Sequence, residues 1–193
     1  MEQLTDFQVI EDIRRGDGRR YALLVDRYKD RGLALAMRIV GGKEESEELL
    51  QDAFLRAFQA LGDFRGDAKF GTWFYRILYN LCMTRVTRRR GRRELHDHFS
   101  DVDTESAAED ETPDALEIVE DLQLTELLAV EVERLPEQFR IPLTLFYIQE
   151  LRYEEISELM GLPLGTVKTH LFRARAILRK RVLTVLGKEV DVL

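Results

Sequence analysis

Residues 150–181, ELRYEEISELMGLPLGTVKTHLFRARAILRKR, restrict the fold more than any other stretch of this chain. Gly161-Leu162-Pro163 interrupts two helical patterns, because glycine accepts positive φ and proline cannot continue a helix. Before the break, Ile156, Leu159 and Met160 share one apolar face. After it, Leu164, Val167, Leu171, Ala174 and Leu178 recur at spacings of three and four, the signature of one helix side. The opposite side carries Lys168, Thr169, His170, Phe172, Arg173, Arg175 and Arg179, and no Asp or Glu falls between Pro163 and Arg181. A helix fastened by one face and presenting donors on the other fits a DNA major groove. The competing reading is a surface helix whose charges are merely solvated. The exclusively basic charge after a glycine-containing turn favours DNA.

The net charge of −7 is unexpected for a DNA-binding protein, and its distribution removes the conflict. Residues 65–93 hold nine basic residues and one acid, Asp67, and residues 164–181 hold six basic residues and none. Residues 94–121 hold twelve acids and no Lys or Arg. Charges farther apart than a Debye length of about 8–10 Å are screened, so phosphate responds to the local patches.

The rest of the chain reads as helices. Thr5 suits the cap of a helix that runs to about Arg15 and ends at Gly16. Tyr21, Leu24, Val25 and Tyr28, then Leu33, Leu35, Ala36 and Ile39, continue a helical face as far as Gly41-Gly42. Leu49, Leu50, Ala53, Phe54, Ala57, Phe58 and Leu61 form the next apolar stripe. A loop, GDFRGDAKFG, precedes a helix from Thr72 into the arginines at 85–93. Residues 94–118 bury too little to offset their ordering entropy and read as a flexible acidic linker. Leu124, Leu127, Leu128 and Val132, then Ile141, Leu145, Phe146 and Ile148 beyond Leu135-Pro136, make further helices. The expected architecture is all-α: a helical domain over 1–93, the linker at 94–118, a second helical domain at 119–187, and a tail at 188–193.

Several function classes fit poorly. No apolar run approaches the ~20 residues of a membrane span, and MEQLTDFQVIEDIRRGD lacks the form of a secretory leader. A single cysteine, Cys82, precludes an internal disulfide; set in ILYNLCM it reads as a buried hydrophobe, and the expected compartment is the reducing cytoplasm. His96, His98 and His170 have no partners at metal-site spacing, and no phosphate loop or nucleophile motif appears, so neither cofactor nor catalytic residue is expected. A metal-dependent nuclease would need a carboxylate cluster on its basic surface, where Asp67 stands alone from 65 to 93.

Residues 64–90 are more informative. Phe64, Phe70, Trp73, Phe74, Tyr75 and Tyr79 alternate with Arg65, Lys69, Arg76 and Arg85. Unstacked single-stranded bases need ring faces and cations of this kind, at about 1–3 kcal/mol per stacked base. Phe74 and Ile77 suit a helical core, whereas Phe64 and Phe70, in a glycine-flanked polar loop, are expected to be exposed.

In this order, SEELLQDAFLRAF at 46–58, FRGDAKFGTWFYRI at 64–77 with YNLCMTRVTRRR, LPEQFR at 135–140 and the two-helix unit resemble the extracytoplasmic-function (group 4) sigma factors of bacterial RNA polymerase. The resemblance covers about 5–93 and 120–185. It implies an initiation factor that binds core polymerase through the β′ coiled coil and the β flap. It implies promoter DNA as ligand, an anti-sigma factor as a further partner, and no chemistry of its own. Glu48, Gln51, Asp52 and Arg56 would contact the coiled coil. The loop Phe64–Phe70, with Arg65, Lys69 and Asn80, would hold a flipped base of the −10 element. Trp73 would assist opening, Arg76 would contact the −10 DNA, and Arg85 and Arg88 would hold phosphates. Thr166, Lys168, Thr169, His170, Phe172, Arg173 and Arg175 would meet the −35 element. The acidic linker would run along the polymerase's nucleic-acid channel. Five positions depart from the family pattern: Arg152 stands where a capping Ser is usual, Thr169-His170 replaces Ser-Arg, Asp52 replaces Glu, and Phe74 lacks a hydroxyl. The alternative reading is a free-standing helix-turn-helix regulator, which leaves the aromatic-basic block at 64–93 unexplained.

Overall fold

The computed structural model describes residues 4–94 and 122–190. Apart from Glu94, the segment read as a linker lies outside them, as do His96 and His98. The chain divides into two compact units between His98 and Phe99. The regular elements among the described residues are all helical, with no strand.

The first unit contains α1 (Asp6–Arg14), α2 (Tyr21–Val40), α3 (Lys43–Gln59) and α4 (Phe70–Glu94), with single 3-10 turns at Gly18–Arg20 and Leu61–Asp63. Thr5 starts α1 by a reciprocal pair of bonds: the Gln8 N–H donates to the Thr5 hydroxyl at 3.3 Å, and the Thr5 N–H donates to the Gln8 side chain at 2.8 Å. That arrangement satisfies two donors a helix start otherwise leaves open. Gly41 ends α2 at φ 82°, and its N–H donates to the Met37 carbonyl at 2.9 Å.

Helices α2, α3 and α4 pack on one another around Leu24, Leu35, Ala36, Leu49, Ala53, Phe54, Phe74, Leu78 and Cys82. Phe54 and Phe74 stack with ring centroids 4.5 Å apart. Each such side chain, fully buried, contributes about 1.5–3 kcal/mol. Close approach depends on two small residues. A Cβ on Gly32 would lie 2.6 Å from Leu50 Cδ1, and one on Gly71 would lie 2.8 Å from the Tyr28 ring. The Tyr28 hydroxyl donates to Asp6, whose carboxylate also pairs with Arg27 at 2.6 Å, so α1 is tied to α2.

Phe58 departs from the sequence reading. It was expected in the buried stripe of α3, yet it is 44% exposed, with an edge contact to Tyr21. At about 100° per residue it sits about 125° from the centre of the stripe formed by Leu49, Leu50, Ala53 and Ala57, and so leaves the core.

Cys82 is fully buried, and burial pushes its thiol from 9.0 up to about 12. A raised thiol pKa favours the neutral folded form. Its contribution to stability is therefore complete below the unfolded value near 9.0 and is lost as pH rises toward about 12. Iodoacetamide at pH 8.5 is expected to modify Cys82 only after denaturant is added. Native-state alkylation at the rate of a free thiol would contradict this.

The second unit contains α5 (Leu122–Glu133), α6 (Glu137–Tyr147), α7 (Tyr153–Met160) and α8 (Leu164–Val190). Helix α8 packs against α5, α6 and α7. Its buried row is Val167, Leu171, Ala174 and Leu178, opposite Phe139, Leu145, Ile156 and Leu159. Gly161 caps α7 at φ 67°, and the Ser157 hydroxyl donates to the Leu162 carbonyl at 2.6 Å, fixing the turn into α8. Arg152 offers no acceptor at the start of α7. Glu155 compensates by accepting the Arg152 N–H at 2.8 Å.

Candidate functional site

Outward-facing residues of the first unit form two adjoining surfaces. On α3, Glu48, Gln51, Leu55 and Arg56 are exposed and Asp52 is half-buried. They follow a first turn whose Glu44 and Glu45 complement the positive end of the helix dipole. Leu55 is 56% exposed, and with Phe58 it makes an apolar strip beside the polar residues. The spacing hides this strip, because Phe58 falls within the periodic apolar stripe and Leu55 falls outside it.

The second surface begins at the loop. Arg65, Gly66, Asp67, Ala68 and Lys69 are all exposed, and Gly66 turns the chain at φ 80°. Phe64 and Phe70 are not: they are 8% and 2% exposed, which corrects the expectation that both project into solvent. Their rings lie 6.0 Å apart, and Trp73 packs on both at 5.1 and 5.7 Å. The polar composition of the loop concealed this, since two hydrophobic feet hold a polar loop in place without changing its sequence character. Tyr75 and Tyr79 are buried as well. Along α4, the half-buried Trp73 is followed by the exposed Arg76, Asn80, Thr84, Thr87 and Arg88. Steps of three and four put these residues on one side of the helix.

The two surfaces meet at Arg85. Its guanidinium donates to Glu45 and to Glu48, each at 3.1 Å, and Arg89 pairs with Glu45 at 3.5 Å. Glu48 is largely exposed, so its pair with Arg85 is worth about 0–1 kcal/mol and exchanges readily for another partner.

On α8, Lys168 and Phe172 are exposed, and Thr166, Thr169 and Arg173 are half-buried. The Thr169 hydroxyl folds back onto the Gly165 carbonyl at 2.9 Å. His170 and Arg175 turn toward the body of the unit. The His170 ring stands edge-on to Phe139 at 5.5 Å, and burial, with a smaller effect from Arg173, pushes its imidazole below the usual range. Arg175 is hydrogen-bonded to the side chains of Tyr147 and Tyr153. Those two tyrosines come from α6 and the start of α7, and no spacing within α8 announces them.

Among the described residues, no group of His, Cys, Asp and Glu is arranged to hold a metal ion. No helix among them is long and apolar enough to cross a membrane.

Residues 24–93 match the family model of Sigma-70 region 2, and residues 125–178 match that of Sigma-70, region 4. The RNA polymerase sigma-H factor of Pseudomonas aeruginosa is 36% identical over 186 residues, which span 93% of this chain and 95% of that protein. The ECF RNA polymerase sigma-E factor of Escherichia coli K12 is 38% identical over 188 residues, 94% of this chain and 96% of its own. The chain belongs to the ECF sigma factors of RNA polymerase. As a sigma factor it is a polymerase-binding, promoter-specific initiation factor. Among solved structures, the sigma factor RpoE of Bartonella quintana, crystallised with the anti-sigma factor NepR, superposes with a TM-score of 0.58 at 23% identity. That match spans 86% of this sigma factor and 97% of the other chain and is a likeness of fold.

Proposed function

We propose that the first unit, bounded near residue 93, carries the polymerase and −10 contacts, and that the second, from about residue 119, carries the −35 contacts. The row Trp73, Arg76 and Asn80 beside a fully exposed loop carries this reading. It sets an aromatic ring among cations along one helix face, as a melted strand requires. Glu48, Gln51, Asp52 and Arg56 dock on the β′ coiled coil, and the apolar strip of Leu55 and Phe58 supplies area that desolvates the contact. Phe64 and Phe70 act from beneath, holding the loop, while Arg65, Lys69, Arg76 and Asn80 meet the non-template strand. Arg85 and Arg88 take upstream phosphates. On α8, Lys168, Thr169, Phe172 and Arg173 face the −35 groove, with Thr166 at its entrance. His170 and Arg175 brace that face, since the structure engages both with α6. The second unit also meets the β flap, and a cognate anti-sigma factor competes for these surfaces. The protein makes and breaks no covalent bond; nucleotide addition belongs to polymerase.

Asn80→Ala separates melting from docking. The side chain is exposed on the −10 face and distant in sequence from α8. With core polymerase present, permanganate reactivity of the −10 thymines is expected to fall about fivefold or more, the scale of one lost base contact. Protection of the −35 element stays as in the wild type. Wild-type permanganate reactivity would remove Asn80 from the site.

A further inference from the structure

Arg14, the last residue of α1, reaches across to the chain that leads into the −10 loop. Its Nη2 donates to the carbonyl oxygens of Leu61 at 3.1 Å, Gly62 at 3.4 Å and Phe64. Nη1 is turned the other way by Glu11, at 3.2 Å, which fixes the plane of the guanidinium. The three carbonyls belong to the turn that follows α3, where the Leu61 carbonyl also accepts the Phe64 N–H at 3.3 Å. One cation satisfies them together, and charge-assisted bonds of this kind are about twice as strong as neutral ones.

The location of this contact gives it significance. Phe64 is the last buried residue before the loop, and residues 65–69 are all exposed. The far end is anchored by Phe70 in the first turn of α4, where the Trp73 N–H also donates to the Lys69 carbonyl at 3.2 Å. The near end has a ring in the core and a carbonyl bound by Arg14. Removing Arg14 leaves the ring in place but frees the peptide that aims Arg65 and Gly66.

We propose that Arg14 is a positioning residue for promoter opening: it fixes the height and direction of the 65–69 loop so that the loop discriminates among bases of the melted strand. This rests on the assignment of that loop to the −10 element. Arg14 acts through the loop backbone and contacts no base. Lysine at this position keeps the charge but lacks the planar fork through which Glu11 holds the guanidinium in orientation.

The test uses the full-length protein bound to saturating core polymerase, on four promoters that differ only at the −10 base held by the loop. Permanganate reactivity gives the ratio of the best to the worst base. In Arg14→Ala this ratio is expected to fall about fivefold or more, with Arg14→Lys recovering part of it. Holoenzyme formation and −35 protection remain at wild-type levels. A loss of fold lowers all four promoters together and leaves the ratio unchanged, so the ratio separates positioning from stability. A wild-type ratio in Arg14→Ala that still forms holoenzyme at the wild-type level overturns the proposal. Should that variant fail to fold, Arg14→Gln, which keeps most of the stem and one amide donor, is read by the same two outcomes. Arg65→Ala with Lys69→Ala is the parallel variant. If it too keeps the wild-type ratio, the loop assignment itself fails; if it flattens the ratio while Arg14→Ala does not, only the role of Arg14 fails.

Discussion

Phe74→Ala is expected to cost the first unit about 3–5 kcal/mol, the usual penalty for emptying a large aromatic site in a packed core. Phe74 is fully buried and lies within 4.5 to 6.1 Å, between ring centroids, of Phe54, Tyr28, Tyr75 and Phe70. Those rings come from α2, α3 and α4, so the cavity opens where all three helices meet. Tyr28 is tied to Asp6 and Phe70 is braced by Phe64, which limits how far the walls can close. Domains of this size are stable by about 5–15 kcal/mol, so the loss is about a fifth of the total or more. Trp73 is the only tryptophan in the chain and packs on Phe64 and Phe70. Its fluorescence therefore reports this unit alone. The urea midpoint read at Trp73 is expected to drop sharply, while hydrogen exchange of α6 to α8 is unchanged. A midpoint equal to the wild type would mean that Phe74 is not the keystone of this core.

The second large effect is expected at the other end of the chain. Arg173→Ala should cost about 1–3 kcal/mol in discrimination at one position of the −35 element, the worth of a bidentate contact to a base. Arg173 lies three residues beyond His170 and one beyond the exposed Phe172, on the part of α8 that no other helix covers completely. Lys168→Ala serves as the comparison. Lys168 is exposed near the start of the helix, so its loss should weaken all promoters alike and reduce the salt slope by about 1. Promoter binding by reconstituted holoenzyme, measured across single-base −35 variants and two salt concentrations, distinguishes the two patterns. Unchanged discrimination in Arg173→Ala would take this residue off the base-reading face.

These expectations draw unequally on sequence and structure. The helices, their apolar rows and their ends were legible because each depends on neighbours three or four residues away. Thr5 with Gln8, Gly41, and Gly161 followed by Pro163 are local signals that the structure reproduces. The basic side of α8 was legible for the same reason. Features set by distant residues were hidden. Phe64 and Phe70 sit beside glycines and charges, and only their packing on each other and on Trp73 shows that they are buried. The Arg14 contacts span about fifty residues, and the partners are carbonyls, which every residue possesses. Arg175 looks like one more groove-facing cation until Tyr147 and Tyr153 are brought beside it. The pairing of Arg85 with Glu45 and Glu48 joins two surfaces that the sequence presents as unrelated.

Reconstitution bears most directly on the account. The purified protein is mixed with core RNA polymerase lacking any specificity subunit and applied to a promoter template. The prediction is a stable protein–polymerase complex that produces a run-off transcript from one discrete start, with no site-specific binding by the protein alone. Failure to associate with the core enzyme, or tight operator binding in its absence, would contradict it.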